Sequence, residues 1–151
     1  MAAVKYLLDT SVYVQPLRQD PHRAALERWQ MVGFKDTAIS IMTEAEVLSG
    51  LYFEGSEQRF HYYQTCLRDC VRVYDVDGNV AKLYARLKAR QTRLGKFVAE
   101  TDLMIAATAI AHGLPLATLN TATFSQIEGL RWEDWSSRMA CPQEEDVPLS
   151  S

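Results

Sequence analysis

At 151 residues, with 48% hydrophobic and 23% charged residues, the chain has room for one globular domain and not for a second with its own core. No run approaches the roughly 18 consecutive apolar residues of a membrane span, and the N-terminus enters the apolar segment Val4 to Leu8 without the basic lead of a signal peptide. Three cysteines, Cys66, Cys70 and Cys141, are an odd number with no further Cys or His at zinc-ligand spacing, which argues against a disulfide framework or a structural zinc and predicts a reducing, cytoplasmic setting.

Val4 to Leu8 reads as a buried strand that ends in Asp9-Thr10-Ser11. Asp20-Pro21 supplies an N-cap followed by proline at the first helical position, and predicts a helix over 21–31. A second strand is expected over 38–41, then a helix from Thr43 with Gly55 near its end. Gln58 to Cys70 reads as another helix, and the alternating segment 71–76 as a strand. Asn79 to Arg93 is helical by pattern, as is the alanine-rich stretch from Val98 to His112, closed by Gly113. Strands are expected over 114–118 and 130–132, and from Cys141 the Pro, Glu, Asp and Ser composition predicts a disordered tail. Strands separated by helices predict an α/β fold with a mainly parallel sheet of four to five strands and helices on both faces. In such a sheet, sites form beyond the carboxyl ends of the strands.

The formal net charge of −3 does not point to a polyanion, but its distribution is uneven. Six basic residues, among them Arg86, Arg90 and Arg93, lie between Gly78 and Ala99 with no acidic one. That strip reads either as a track for a nucleic-acid backbone or as a solvated helix face.

Three carboxylates carry the chemical reading. Asp9 sits where the first strand ends, a place that suits catalysis and an N-cap equally. Glu46 completes a capping box with Thr43, a pattern that needs no catalytic role. Asp102 is harder to explain structurally. It shares a helical row with Ala106 and Ala109, apart from the polar row of Thr101, Thr108 and His112, and an aspartate turned toward a core needs a partner. Acids gathered around one cavity repel each other unless a cation neutralises them. Mg²⁺ or Mn²⁺ suits such oxygen ligands and can serve phosphodiester hydrolysis. His22, His61 and His112 have no metal-ligand spacing, and none of the seven glycines falls in a phosphate-binding pattern.

Four segments together resemble the PIN-domain family and, within it, the VapC toxins. They are Leu7-Leu8-Asp9-Thr10-Ser11, the stretch Ser40 to Gly50, the stretch Asp102 to Ala109 with His112 to Asn120 after it, and Phe124 to Trp135. Their order and spacing agree over roughly residues 4–135. The alignment selects Glu46 rather than Glu44. The resemblance implies an α/β/α sandwich over residues 1–140, with the tail at 141–151, and Mg²⁺- or Mn²⁺-dependent cleavage of single-stranded or looped RNA. It also implies dimerisation and inhibition by a small VapB-type antitoxin. Asp9, Glu46 and Asp102 would hold the metal, Asn120 would orient a ligand or water, and Thr10 and Thr118 would support the acids. One departure stands out: the family's frequent fourth acid is replaced by Thr123, which brings a hydroxyl and no charge.

Three other readings remain open. A receiver-type signalling domain needs adjacent acids after the first strand and a lysine after a late one, and the chain has neither. A PIN domain reduced to a binding module would fit Thr123. A PIN nuclease of RNA processing would need no antitoxin.

Overall fold

The computed structural model describes residues 3–137, so the expected domain end at 140 and the expected tail at 141–151 lie outside the described residues. Five short strands, β1 (Tyr6–Leu8), β2 (Thr37–Ser40), β3 (Arg72–Tyr74), β4 (Leu116–Thr118) and β5 (Trp132–Asp134), form one sheet in the order β3-β2-β1-β4-β5. Every pairing is parallel, with Leu7 of β1 opposite Ala38 on one side and Leu116 on the other.

Successive residues of a strand point to opposite faces, so each inner strand feeds two cores. Leu7, Ala38 and Leu116 face one core, closed by α5 (Gly78–Leu94) and α6 (Glu100–Ala111). Leu8, Ile39 and Ala117 face the other, closed by α2 (Arg23–Val32) and α3 (Ile41–Glu54). Burial on both faces explains why the inner strands read as apolar runs. The result is the expected α/β/α sandwich, and its sheet is wholly parallel. Among the described residues no helix is long and apolar enough to cross a membrane.

β1 lies mid-sheet, with the chain continuing to β2 on one side and to β4 on the other. This is a topological switch point, where a crevice opens at the carboxyl ends of the strands. Asp9 follows β1 there, Ser40 ends β2, and Asn120 lies just past β4.

Several boundaries differ from the sequence expectation, each for a local reason. α3 starts at Ile41, not Thr43: the chain passes from β2 straight into the helix, and Ser40 is the N-cap, its hydroxyl accepting from the Met42 amide at 3.0 Å. Thr43 is therefore inside the helix, and the expected capping box with Glu46 does not form. α2 starts at Arg23 with His22 as its cap, Nδ1 accepting from the Ala25 amide at 3.2 Å, so Asp20-Pro21 lies ahead of the helix. The helix expected over 58–70 is divided. α4 (Glu57–Tyr62) passes into a π turn at Tyr63–Leu67, with Tyr63 and Leu67 buried, and a 3₁₀ turn at Arg68–Cys70. The last strand falls at 132–134, two residues later than expected. Two one-turn helices, α1 (Thr10–Tyr13) and α7 (Thr121–Phe124), are too short to leave a periodic signal. Thr108, expected on a polar face, is fully buried, because α6 is covered on nearly all sides and the Thr108 hydroxyl donates to the Met104 carbonyl within the helix at 2.9 Å.

Trp29 anchors the α2 side. It is fully buried, packs edge-on against Phe34 and donates its indole N–H to Thr37 Oγ1 at 3.1 Å. Trp29→Ala removes that hydrogen bond and leaves a cavity, and should lower the unfolding free energy by about 3–5 kcal/mol in urea titration.

Candidate functional site

The site is built on the carboxyl edge of β1 and β4. Asp9 occupies the N-cap position of α1, but its carboxylate makes no cap hydrogen bond. Its Oδ2 instead accepts from Ser11 Oγ at 2.7 Å and from Thr118 Oγ1 at 2.9 Å. Both hydroxyls are themselves held. Ser11 Oγ accepts from the Leu119 amide at 3.0 Å, and Thr118 Oγ1 from the Asn120 amide at 2.8 Å. Asp9 is thus locked between the end of its own strand and the end of its neighbour. Burial raises its pKa, while the Ser11 and Thr118 hydroxyls pull the other way.

Glu46 comes from the second turn of α3, released from any capping role. Its Oε1 accepts from Thr10 Oγ1 at 2.5 Å, and the Thr10 hydroxyl also lies 3.1 Å from Thr43 Oγ1. Glu44, two residues earlier, points elsewhere. It is nearly buried, accepts from the Tyr63 hydroxyl at 3.0 Å and pairs with the Arg68 guanidinium. The two glutamates of the Thr-Glu-Ala-Glu run therefore divide the work, with Glu44 tying α3 to the π turn and Glu46 facing the strand ends.

Asp102 lies in the first turn of α6, half-buried. Burial and the nearby charges of Asp9 and then Glu46 push its pKa up to about 6. The helix N-terminus favours a negative charge at that place, and burial and then the neighbouring acids act against it. Three carboxylates from β1, α3 and α6 are thus brought within electrostatic reach of one another.

Among the described residues no three His, Cys, Asp or Glu side chains already close around one point as metal ligands. The donor chemistry nonetheless suits a hard divalent cation: the groups are all oxygens, they are mutually repelling, and hydroxyls fix them from behind. Glu46 and Thr10 line the end of a cleft of about 420 Å³, whose walls include Val14, Leu17, Val47 and Leu51.

The other expected residues are placed less tightly. Asn120 is exposed, with its backbone amide on Thr118 and no hydrogen bond to its side chain among the described residues. Thr123 is half-buried on α7. Along the basic strip, Arg90 is paired with Glu128 at 2.6 Å and Lys88 with Glu100 at 2.8 Å, whereas Arg86 and Arg93 are exposed and form no ion pair among the described residues. Sequence reasoning missed the hydroxyls of Ser11 and Thr43. A serine two residues after an aspartate is a recurrent turn pattern that points to the first; the second shows only once α3 is known to begin at Ile41.

The PIN domain family matches residues 6–130 of the chain. The tRNA(fMet)-specific endonuclease VapC of Shigella flexneri is 30% identical over 133 residues, covering 88% of this chain and 99% of that protein. The chain belongs to the PIN-domain family, in its VapC group. Toxin FitB of Neisseria gonorrhoeae is 28% identical over 135 residues, covering 85% of this chain and 97% of that protein. Among solved structures, DNA-bound VapBC from Salmonella typhimurium superposes on this PIN domain with a TM-score of 0.74 at 28% identity, covering 87% of this chain and 98% of that one.

The crowding of acids has a measurable cost to this PIN domain. The fold holds the Asp102 proton to about pH 6 against an ordinary value of 3.8. A group whose folded pKa is raised favours the fold most below its ordinary value and loses that contribution as pH rises through the folded pKa, here between about pH 4 and 6. Asp102 is half-buried, so solvent reduces the penalty at neutral pH to about 1 kcal/mol. Metal-free Asp102→Asn should therefore melt roughly 2–6 °C above the parent chain at pH 7.5 and together with it near pH 4. Equal melting at both pH values would mean that neither burial nor the neighbouring acids disfavour the Asp102 charge.

Proposed function

We propose that this chain is the endoribonuclease toxin of a toxin–antitoxin pair, cutting single-stranded or looped RNA in the cytoplasm with Mg²⁺ or Mn²⁺ held by Asp9, Glu46 and Asp102. The observation that carries the reading is the gathering of these three acids at the switch point of a parallel sheet, in a chain of the VapC group. A divalent cation bound there supplies positive charge for a phosphate and lowers the pKa of a water.

The chain's own residues do the rest. Ser11 and Thr118 hold the Asp9 carboxylate from two sides, and Thr10, backed by Thr43, holds Glu46. This fixes two of the three acids before a ligand arrives, so little reorganisation is needed at the moment of reaction. Asp102 rides on α6 with no hydrogen bond to its carboxylate among the described residues, so its oxygens would be open to a cation. Asn120, exposed beside Thr118, is placed to touch the RNA or a water. His22 is taken up in capping α2, and His112 stacks on Tyr74 at 3.7 Å, which leaves the carboxylates as the chemistry at the strand ends.

The cleft beside Glu46 suits the restraining partner. Val14, Leu17, Val47 and Leu51 offer apolar walls to a segment of a VapB-type antitoxin. A basic side chain beside Glu46 would take over the cation's charge, an arginine doing so with two parallel hydrogen bonds. A homodimer is part of the same reading, on the family resemblance alone.

Purified protein with Mg²⁺ or Mn²⁺ should cut single-stranded RNA, EDTA should stop it, and Asp9→Asn or Asp102→Asn should lower the rate by at least about 100-fold without unfolding the chain. Expressed alone in its native host, the chain should arrest growth, and co-expression of the neighbouring small antitoxin-like protein should relieve the arrest. Cleavage without arrest would keep the nuclease and remove the toxin. Full activity in both aspartate variants would remove the site.

Thr123 generates a separate expectation. A hydroxyl where many relatives carry a fourth acid leaves one well-held cation and a weak second position. Thr123→Asp should tighten Mn²⁺ binding or add a second equivalent in calorimetry, whereas unchanged affinity and stoichiometry would place residue 123 away from the metal.

A further inference from the structure

The turn between α5 and α6 carries an arrangement that the acid site does not use. α5 ends in a Schellman motif: Gly95 adopts φ 69°, its amide donates to the Thr92 carbonyl at 3.0 Å, and the Lys96 amide donates to the Gln91 carbonyl at 3.0 Å. Two residues later Val98 is buried, and the Leu103 amide on the Ala99 carbonyl opens α6. The backbone from Gly95 to Ala99 is therefore held at both ends. Phe97 lies between these anchors with 84% of its surface exposed, and Leu94 beside it is half-exposed.

An aromatic ring presented outward from a fixed turn gives up the burial that would otherwise stabilise the fold. Its neighbours are also distinctive. Lys88 and Arg90, earlier on α5, are neutralised by Glu100 and Glu128, but Arg93 and Lys96, which precede Phe97 in the chain, are exposed and form no ion pair among the described residues. Phe97 is five residues from Asp102, so the turn lies at the acid end of α6, at most roughly 18 Å from that carboxylate's backbone. That distance is the span of a few stacked nucleotides.

We propose that Phe97 is a base-stacking platform for the RNA strand entering the acid site, with Arg93 and Lys96 at the end of α5 holding its phosphates. The proposal rests on the nuclease reading above and extends it to a residue that positions the substrate. An exposed planar ring with two exposed cations, unpaired among the described residues, in the same turn and helix end matches a nucleotide, which offers a π face and a negative phosphate together. Stacking of this kind tolerates any base, so Phe97 contributes affinity and position rather than sequence choice. The basic strip is thereby narrowed: Arg90 is occupied by Glu128, and the contact with RNA moves to the end of the helix next to the acids.

The test uses the full chain and a fluorescein-labelled single-stranded RNA of about ten nucleotides. Anisotropy in Ca²⁺ gives binding, and gel assays in Mn²⁺ give kcat and KM. Phe97→Ala should raise Kd and KM about 5- to 100-fold while changing kcat little, and Phe97→Trp should restore both. Arg93→Ala with Lys96→Ala should flatten the salt dependence of binding by close to two phosphate contacts. Unchanged Kd and KM in Phe97→Ala, in a parent chain that cuts RNA, overturn the platform and leave the nuclease standing. A parent chain that neither binds nor cuts RNA overturns both. If light scattering shows Phe97→Ala converting a dimer to a monomer, the ring is covered by a second copy of the chain and the proposal falls.

Discussion

The arrangement of this protein depends on one repulsion. Asp102 stands in the field of Asp9 and Glu46, and the fold has to hold three acids near each other at the end of a buried sheet. Nothing apolar could do this. Hydroxyls do: Ser11 and Thr118 carry Asp9, and Thr10 with Thr43 carries Glu46. Each hydroxyl can donate to a carboxylate while accepting from a backbone amide or another hydroxyl, so negative charge is spread into the ends of β1 and β4 and the start of α3 without a cation side chain that would occupy the site. The repulsion of like charges is thereby kept at one place, at the carboxyl ends of β1 and β4.

The neighbouring pair of glutamates shows the alternative. Glu44 is buried and neutralised by Arg68 and Tyr63, which makes it a tie between α3 and the π turn. Glu46, two residues on and turned through about 200° around the helix, accepts from the Thr10 hydroxyl and forms no ion pair among the described residues. A buried carboxylate given an arginine is structural. One left with hydroxyls alone keeps its charge for a ligand. The same contrast separates Lys88 and Arg90, matched by acids, from Arg93 and Lys96, which are not.

Much of the fold was legible in the residues because local pattern and burial agree. Inner strands buried on both faces read as apolar runs, and the long helices α5 and α6 were placed within two residues at each end. Expectations failed where short-range chemistry had two solutions. Thr43 and Glu46 satisfy a capping box on paper, yet Ser40 is already in place as the cap when β2 ends. Asp20-Pro21 has the form of a helix start, but the chain turns two residues later, where His22 can reach the Ala25 amide. The division of the 58–70 segment into α4, a π turn at Tyr63–Leu67 and a 3₁₀ turn leaves no mark in the sequence pattern, since Tyr63 and Leu67, four residues apart, would share a face in a regular helix too.

By itself the sequence determined the fold class and the family, and singled out three acids, because strand and helix periods, the position of an acid after a strand and a run of matched motifs are written along the chain. Only the tertiary structure decided which groups each acid meets. The separation of Glu44 from Glu46, the locking of Asp9 by a hydroxyl 109 residues away and the upward shift of Asp102 all depend on groups distant in sequence. The physical reason is that charge acts through space over a few ångströms, and it is the crossing of the chain between β1 and β4 that sets which groups stand within that range.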